Sequence, residues 1–342
     1  TRLALDRLDF SGSAEGLAGP FKGAGAIGAD RLGFRFSTGE VAGGRMRAKL
    51  VLDAGAASPH AEFDGMAQLS GAPAFEGQFL SFGALALAPG AGEPTPWRLT
   101  GTLKADAGGA TLDPLDLKIG GEERPTGVTG RAAYTPGAGL DATLAARQID
   151  LDKALGEDGK PTTPRKALAA ARGLVERLIA QAAPLAGSAL RLEASPGVIT
   201  VGGEAIADAA LRVVRRPGEP TRLKVETSLP GRSRLLADGV VEGGAAARFN
   251  GWIDAATYDA PRLAQWLGDI LPAGASAPFQ SFSAQAQAEI SEVTLSLREA
   301  RVKLDRTPAT GAFTYVAPVA GERGRVYADV ASDALDLDGA PD

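Results

Sequence analysis

The chain has 342 residues, 36 basic and 41 acidic, for a net charge of −5, and no cysteine. A mixed charge without a clustered basic face gives no footprint for nucleic acid, and zero Cys removes disulfides, thiolate nucleophiles and Cys-ligated metals. Hydrophobic residues make up 44% but aromatics only 6%, with 45 Gly and 22 Pro, so frequent turns and thin, Ala-rich strands are expected rather than long helices around a bulky core.

The first residues already alternate, with Leu3, Leu5, Leu8 and Phe10 as apolar positions. Gly23-Ala24-Gly25-Ala26-Ile27-Gly28 matches the letters of a dinucleotide fingerprint. That motif needs a helix after it, whose N-terminus meets the pyrophosphate, and here Leu32, Phe34 and Phe36 alternate with Gly33, Arg35 and Ser37 as a strand would. No nucleotide site is expected. His60, the single histidine, reads as a loop residue without the partners that a triad or metal site requires.

From Trp97 the period-2 pattern is regular. Trp97, Leu99, Gly101, Leu103 and Ala105 share one face, while Arg98, Thr100, Thr102 and Lys104 lie off it. Leu115, Leu117 and Ile119 follow Gly108-Gly109. Val128, Gly130, Ala132 and Tyr134 follow Pro125, and Leu140, Ala142, Leu144 and Ala146 follow Pro136-Gly137. Turns about every ten residues make this an antiparallel meander.

The stretch Leu144–Asp152 ends at an acidic turn, as do Trp252–Ala260 and Val326–Asp338. After the first comes an amphipathic pattern near 164–186. Thr163 is placed to cap it, Pro164 to open it and Gly187 to end it, with Leu168, Ala171, Val175, Leu178, Ala182 and Leu185 as its apolar stripe. Packing on the sheet is the ordinary use of such a stripe. Leu223, Val225, Thr227 and Leu229 then alternate up to Pro230-Gly231, and Phe249, Gly251 and Ile253 lead to the second acidic turn. A short helix is expected near 261–270, with Leu263, Trp266, Leu267 and Ile270 apolar.

The last unit carries Phe282, Ala284, Ala286, Ala288 and Ile290, then Val293, Leu295 and Leu297, then Val302 and Leu304, then Phe313 and Tyr315. Pro96–Asp152 corresponds to Pro278–Asp338 in strand order and in a closing Asp-Leu-Asp, which is the self-similarity of a repeated architecture. The fold class expected is therefore mainly β, with repeated antiparallel meanders forming an elongated curved sheet or groove and two short helices. Residues 1–158 form the first β-repeat region, 159–187 the amphipathic helix and linker, and 188–342 the second β-repeat region. Asp150, Asp152, Asp336 and Asp338 lack the close spacing of a calcium loop, and Asp152 suits a helix N-cap. No stretch of about 18 apolar residues spans a membrane.

Several motifs taken together resemble the AsmA family of Gram-negative envelope proteins. They are Phe63-Asp64-Gly65 with Gly71-Ala72-Pro73-Ala74-Phe75-Glu76-Gly77, then Pro96-Trp97-Arg98-Leu99-Thr100-Gly101, Leu115-Asp116-Leu117 and Leu144–Asp152. Ser228-Leu229-Pro230-Gly231, Phe249-Asn250-Gly251 and Leu263-Ala264-Gln265-Trp266-Leu267 extend the likeness over nearly the whole chain. The resemblance implies a periplasmic protein anchored in the inner membrane, with long sheets curled into an apolar groove and a part in outer-membrane biogenesis and phospholipid balance. It implies neither enzymatic activity nor a cofactor. Members begin with a transmembrane helix, and the chain is read as a fragment or processed form lacking it.

Under this reading phospholipid or another acyl-chain lipid lies against Leu99, Leu103, Leu117, Ile119, Leu144, Leu223, Val225, Phe249, Ile253, Leu295 and Phe313. Each buried CH₂ contributes about 0.8 kcal/mol. Alternation alone leaves open a dry β-sandwich in which the same residues pack on one another, and a structural or assembly module whose sheet edges pair with envelope protein partners. An enzyme of polysaccharide or lipid metabolism finds no carboxylate pair that stands apart from the turns.

Overall fold

The computed structural model describes residues 8–28, 32–53, 55, 59–85, 94–121, 125–156, 160–170, 188–242, 248–268, 270–271, 278–291, 293–317 and 323–332. The chain divides into two units, Thr1–Ala146 and Arg147–Asp342. Both are antiparallel meanders in which each strand pairs with the next in sequence, and the sheet does not close on itself.

The first unit holds β1 (Leu8–Ala14), β2 (Phe21–Ile27), β3 (Leu32–Thr38), β4 (Arg45–Asp53), β5 (His60–Gln68), β6 (Ala74–Leu85), β7 (Thr95–Asp106), β8 (Gly109–Ile119), β9 (Thr126–Thr135) and most of β10 (Gly139–Asp150). The second holds β11 (Leu190–Val201), β12 (Glu204–Arg215), β13 (Thr221–Leu229), β14 (Ser233–Glu242), β15 (Arg248–Thr257), β16 (Phe282–Ile290), β17 (Thr294–Leu304), β18 (Thr307–Val316) and β19 (Arg325–Ala331). Its helical segments are α1 (Leu151–Leu155), α2 (residues 164–170) and α3 (Ala260–Trp266). The expected mainly β, meandering fold is thus observed.

Directly paired residues of an antiparallel ladder project to the same face, so the register sorts every strand residue. In the first unit Phe10, Gly25, Phe34, Leu52 and Ala61 follow one another across β1 to β5. Farther along, Ser81, Leu99, Leu117, Val128 and Ala146 do the same across β6 to β10. Bulges hold this order where the spacing of apolar residues changes from two to three. Leu112 and Leu115 in β8 flank Asp113-Pro114. Leu297 and Ala300 in β17 flank Arg298-Glu299, with Glu299 at φ 50°. In β12 the shift falls between Ala207 and Ala210, with Asp208 at φ 51°. Each bulge inserts extra residues so that the next apolar side chain returns to its own face.

The aromatic rings lie over glycines. A Cβ on Gly23 would come within 2.7 Å of the Phe10 ring and 2.5 Å of the Phe36 ring, and one on Gly25 within 2.8 Å of Phe34. Phe10 stacks between the two at centroid separations of 6.3 Å from Phe34 and 6.1 Å from Phe36. The letters of the dinucleotide fingerprint are therefore a strand floor for phenylalanines, and the next element in the chain is β3 rather than a helix.

Among the described residues, buried side chains gather at the helices and the strand ends beside them, with a few more, such as Leu115, Ala286 and Ala288, within strands. Leu155, Ala167, Ala170, Val201, Ala260 and Leu263 belong to the first group. Ser233 Oγ lies 2.6 Å from the Pro230 carbonyl and 2.7 Å from Thr257 Oγ1, and Thr257 Oγ1 donates to the Gly231 carbonyl at 3.0 Å. Trp266 Nε1 donates to the Val201 carbonyl at 2.9 Å.

Three details differ from the sequence reading. Asp150, not Asp152, caps α1 by accepting from Lys153 N at 2.9 Å. Asp152 reaches farther: its Oδ1 accepts from Thr162 N (3.0 Å) and Gly202 N (2.7 Å), its Oδ2 from Gly203 N (2.7 Å). Thr163 does cap α2, accepting from Lys166 N at 3.3 Å, yet Ala167 and Ala170 are its buried residues and Leu168 is 66% exposed. The inward stripe is one position out of phase with the expected one; the rest of that stripe, 171–186, lies outside the described residues. Finally, α3 ends at Trp266, and Ile270 lies beyond it, exposed.

The Asp152 clamp should be measurable. Each charge-assisted bond to a backbone N–H contributes about 1.5–3 kcal/mol, so Asp152→Ala, which removes the two oxygens that accept three such bonds on a partly exposed site, should lower stability by about 3 kcal/mol in urea denaturation. Asp150→Ala, which removes one cap, should cost about 1 kcal/mol.

Candidate functional site

Following the register through the first unit collects a face without any charged residue among the described strand positions. Two of its hydroxyls engage backbone: Ser81 Oγ donates to the His60 carbonyl at 2.7 Å and Thr38 Oγ1 accepts from Phe21 N at 3.0 Å. Leu99, Leu103, Leu117, Ile119 and Leu144 all lie on this face. Leu99 opposes Leu117, Leu103 opposes Gly77 and Leu112, and Leu144 opposes Gly130.

The apolar face of the second unit is assembled in the same way. Leu223 opposes Val213 and Gly239, and Val225 opposes Leu211 and Ala237. Ile253 opposes Ala237 and Ala286, and Phe249 opposes Val241 and Ile290. Leu295 opposes Ile290 and Tyr315, and Phe313 opposes Leu297 and Ala328. Leu223, Val225, Phe249, Ile253, Leu295 and Phe313 thus belong to one continuous surface.

Their burial bears on the sandwich alternative. Every one of these side chains, in both units, is half-buried. Strand neighbours cover their flanks while their tips stay accessible. In a dry sandwich, large aliphatic residues at the middle of each strand would be fully covered. Among the described residues the largest fully buried side chain is instead Thr257, and the buried apolar residues are mostly alanines. Ten strands spaced ~4.8 Å apart and about ten residues long, at ~3.3 Å per residue, present roughly 1,600 Å² of sheet. The largest apolar patch of a typical monomer is roughly 300–600 Å².

Sequence reasoning missed the first half of this surface. Phe34, Phe36, Leu50, Phe63 and Phe79 continue it across β3 to β6, with Phe63 and Phe79 in contact at 5.2 Å. The signal was the same alternation, seen at Leu32, Phe34 and Phe36 but not extended to β4–β6.

The opposite face carries the charge. Arg47 and Lys49 of β4 pair with Asp64 (3.1 Å) and Glu62 (3.4 Å) of β5, and Lys104 pairs with Glu76 at 2.9 Å. In the second unit Glu193 meets Arg191 and Arg212, each at 2.8 Å, and Glu289 meets Arg248 at 3.1 Å and Arg298 at 3.0 Å. His60 is not in a loop: it opens β5, stacks on Phe82 at 4.5 Å and holds Glu62 Oε1 at 3.0 Å. Among the described residues no cluster of three or more His, Asp or Glu could hold a metal ion, and no helix is long and apolar enough to cross a membrane.

No family model, curated protein or solved structure matches this chain.

The polar face makes a pH-dependent contribution with a defined sign. The His60 hydrogen bond, followed by Lys49, holds Glu62 below its ordinary value of 4.5. A depressed carboxylate stabilises the folded chain above the unfolded pKa and loses that contribution as pH falls through the folded pKa. Acid unfolding of the wild type should therefore steepen below pH 4.5. Glu62→Gln should be less stable than wild type at neutral pH, and the difference should shrink in acid, as read from melts across that range.

Proposed function

We propose that the protein is a non-enzymatic carrier or shield for acyl-chain lipid, held against the apolar faces of its two meanders. The carrying observation is the combination of a surface free of charge across ten strands with side chains that remain half accessible. Such a surface lowers its free energy by taking apolar groups out of water, at about 0.8 kcal/mol per CH₂. Leu99, Leu103, Leu117, Ile119 and Leu144 in the first unit, and Leu223, Val225, Phe249, Ile253, Leu295 and Phe313 in the second, are the proposed lining. Phospholipid is the proposed partner, with its head group left in water.

The motif resemblance to the AsmA family supports the same reading. The proposal accordingly includes a periplasmic location, a full-length form anchored in the inner membrane, and a part in outer-membrane biogenesis and lipid homeostasis. A second reading, assembly through sheet edges with envelope proteins, draws on β1 and β19, whose residues are exposed along their whole length.

The two readings separate on substitution of the lining. Leu103→Asp and Leu144→Asp each put a carboxylate on a half-accessible surface. They should reduce co-purifying lipid several-fold in native mass spectrometry while leaving the melting temperature within a few degrees. A charge forced into a dry interior would instead unfold the unit. Wild-type protein without lipid, together with variants that fail to fold, would replace the carrier reading by the structural one.

A further inference from the structure

Across β11 to β19 the apolar face of the second unit carries two charged residues among its described strand positions, one at each end of β12. Glu204 opposes Val201 at the rim beside the helices. Arg215 opposes Leu190 at the far rim. Their circumstances differ.

Glu204 is neutralised. Arg262 of α3 donates to both its oxygens, at 2.9 and 3.0 Å. Around it α3 closes that rim: Leu263, Ala260, Val201 and Thr257 are buried, and Trp266 is bonded across to β11. An amphiphile lying on this face meets covered, already paired polar groups there.

Arg215 is half-buried and, among the described residues, makes no hydrogen bond or ion pair. Its neighbour Arg216 is exposed and has Glu219 at 3.5 Å. The arginines of the polar face at Arg191, Arg212, Arg248 and Arg298 likewise have carboxylates. The register continues from Arg215 along its rim through Thr221, Val241, Phe249, Ile290 and Leu295. An unpaired guanidinium at the margin of an otherwise apolar surface is suited to a bidentate oxyanion.

We infer that Arg215 binds the phosphate of an acyl-lipid head group, with the acyl chains running along β12–β17 toward the rim closed by α3. The inference rests on the lipid-carrier reading and adds to it a direction and a head-group class. β12 has 12 residues, which at ~3.3 Å each places the two rims ~36 Å apart, so whole acyl chains fit between them. With Glu204 already paired to Arg262, the unpaired guanidinium of Arg215 is the charge on this face that favours the phosphate, at its own rim.

The test is native mass spectrometry of the whole chain after incubation with phosphatidylglycerol and diacylglycerol of identical acyl chains. Wild type should retain phosphatidylglycerol over diacylglycerol by about ten-fold, the scale of one charge-assisted pair. Arg215→Ala should abolish that preference while diacylglycerol occupancy stays unchanged; Arg215→Lys should restore part of it, and Arg216→Ala should leave it intact. Glycerol phosphate, which lacks acyl chains, should not displace the lipid. Displacement would make Arg215 a site for free phosphate and overturn the assignment. A preference that survives in Arg215→Ala, or that falls equally in Arg216→Ala, overturns it as well while leaving the carrier reading standing. Wild type that retains neither lipid sinks the carrier reading itself, and this inference with it.

Discussion

Everything in this molecule depends on side-chain parity being kept from strand to strand. In a two-sided sheet, a shift of one residue moves a whole strand's apolar set to the wrong face. Here the opposite face bears paired charges at Arg47–Asp64 and Arg248–Glu289, so a slip would bring carboxylates and guanidinia onto the apolar surface. The bulges at Asp113-Pro114, Asp208 and Glu299 are where parity would otherwise fail. They place the irregular residue in the ladder and keep Leu115, Leu211 and Ala300 aligned with their neighbours.

The apolar surface is kept thin by its composition. Phe10, Phe34 and Phe36 lie over Gly23 and Gly25, so the rings bury area against the sheet rather than against a second layer. Alanines fill β16, where Ala286 and Ala288 are buried by taller neighbours. The result is a sheet stabilised by lateral contacts and backbone ladders, with Leu155, Ala167, Ala170, Ala260 and Leu263 buried where the helices pack.

The alternation of Trp97–Ala105, Leu223–Leu229 and Phe249–Ile253 made the strands and the common face of the lining residues legible, because parity is a local property. The change of phase between Leu297 and Val302 went unread as a bulge, and the two groups proved to be one strand, β17. Contacts made at a distance resisted. Asp152 carries the signature of a cap, but its bonds go to Gly202 and Gly203, fifty residues away. Leu168 fits a helical stripe, yet Ala167 and Ala170 face inward because a close approach favours the smaller residues. Arg215 looks like half of an exposed arginine pair until the register shows that it shares a face with Val213 and Leu223, whereas Arg216 does not.

A meander in which each strand is laddered only to its sequence neighbours behaves within each unit as a one-dimensional array. Its stability approximates a sum of strand terms and nearest-neighbour couplings. Folding can then spread outward from any well-formed hairpin, since no ladder waits on a distant strand to close a long loop. Damage is correspondingly local: a lesion in one strand weakens two ladders and leaves the others to hold. The same arithmetic makes length a variable quantity, because adding or removing a hairpin changes how many strands there are without changing the environment of those more than one neighbour away.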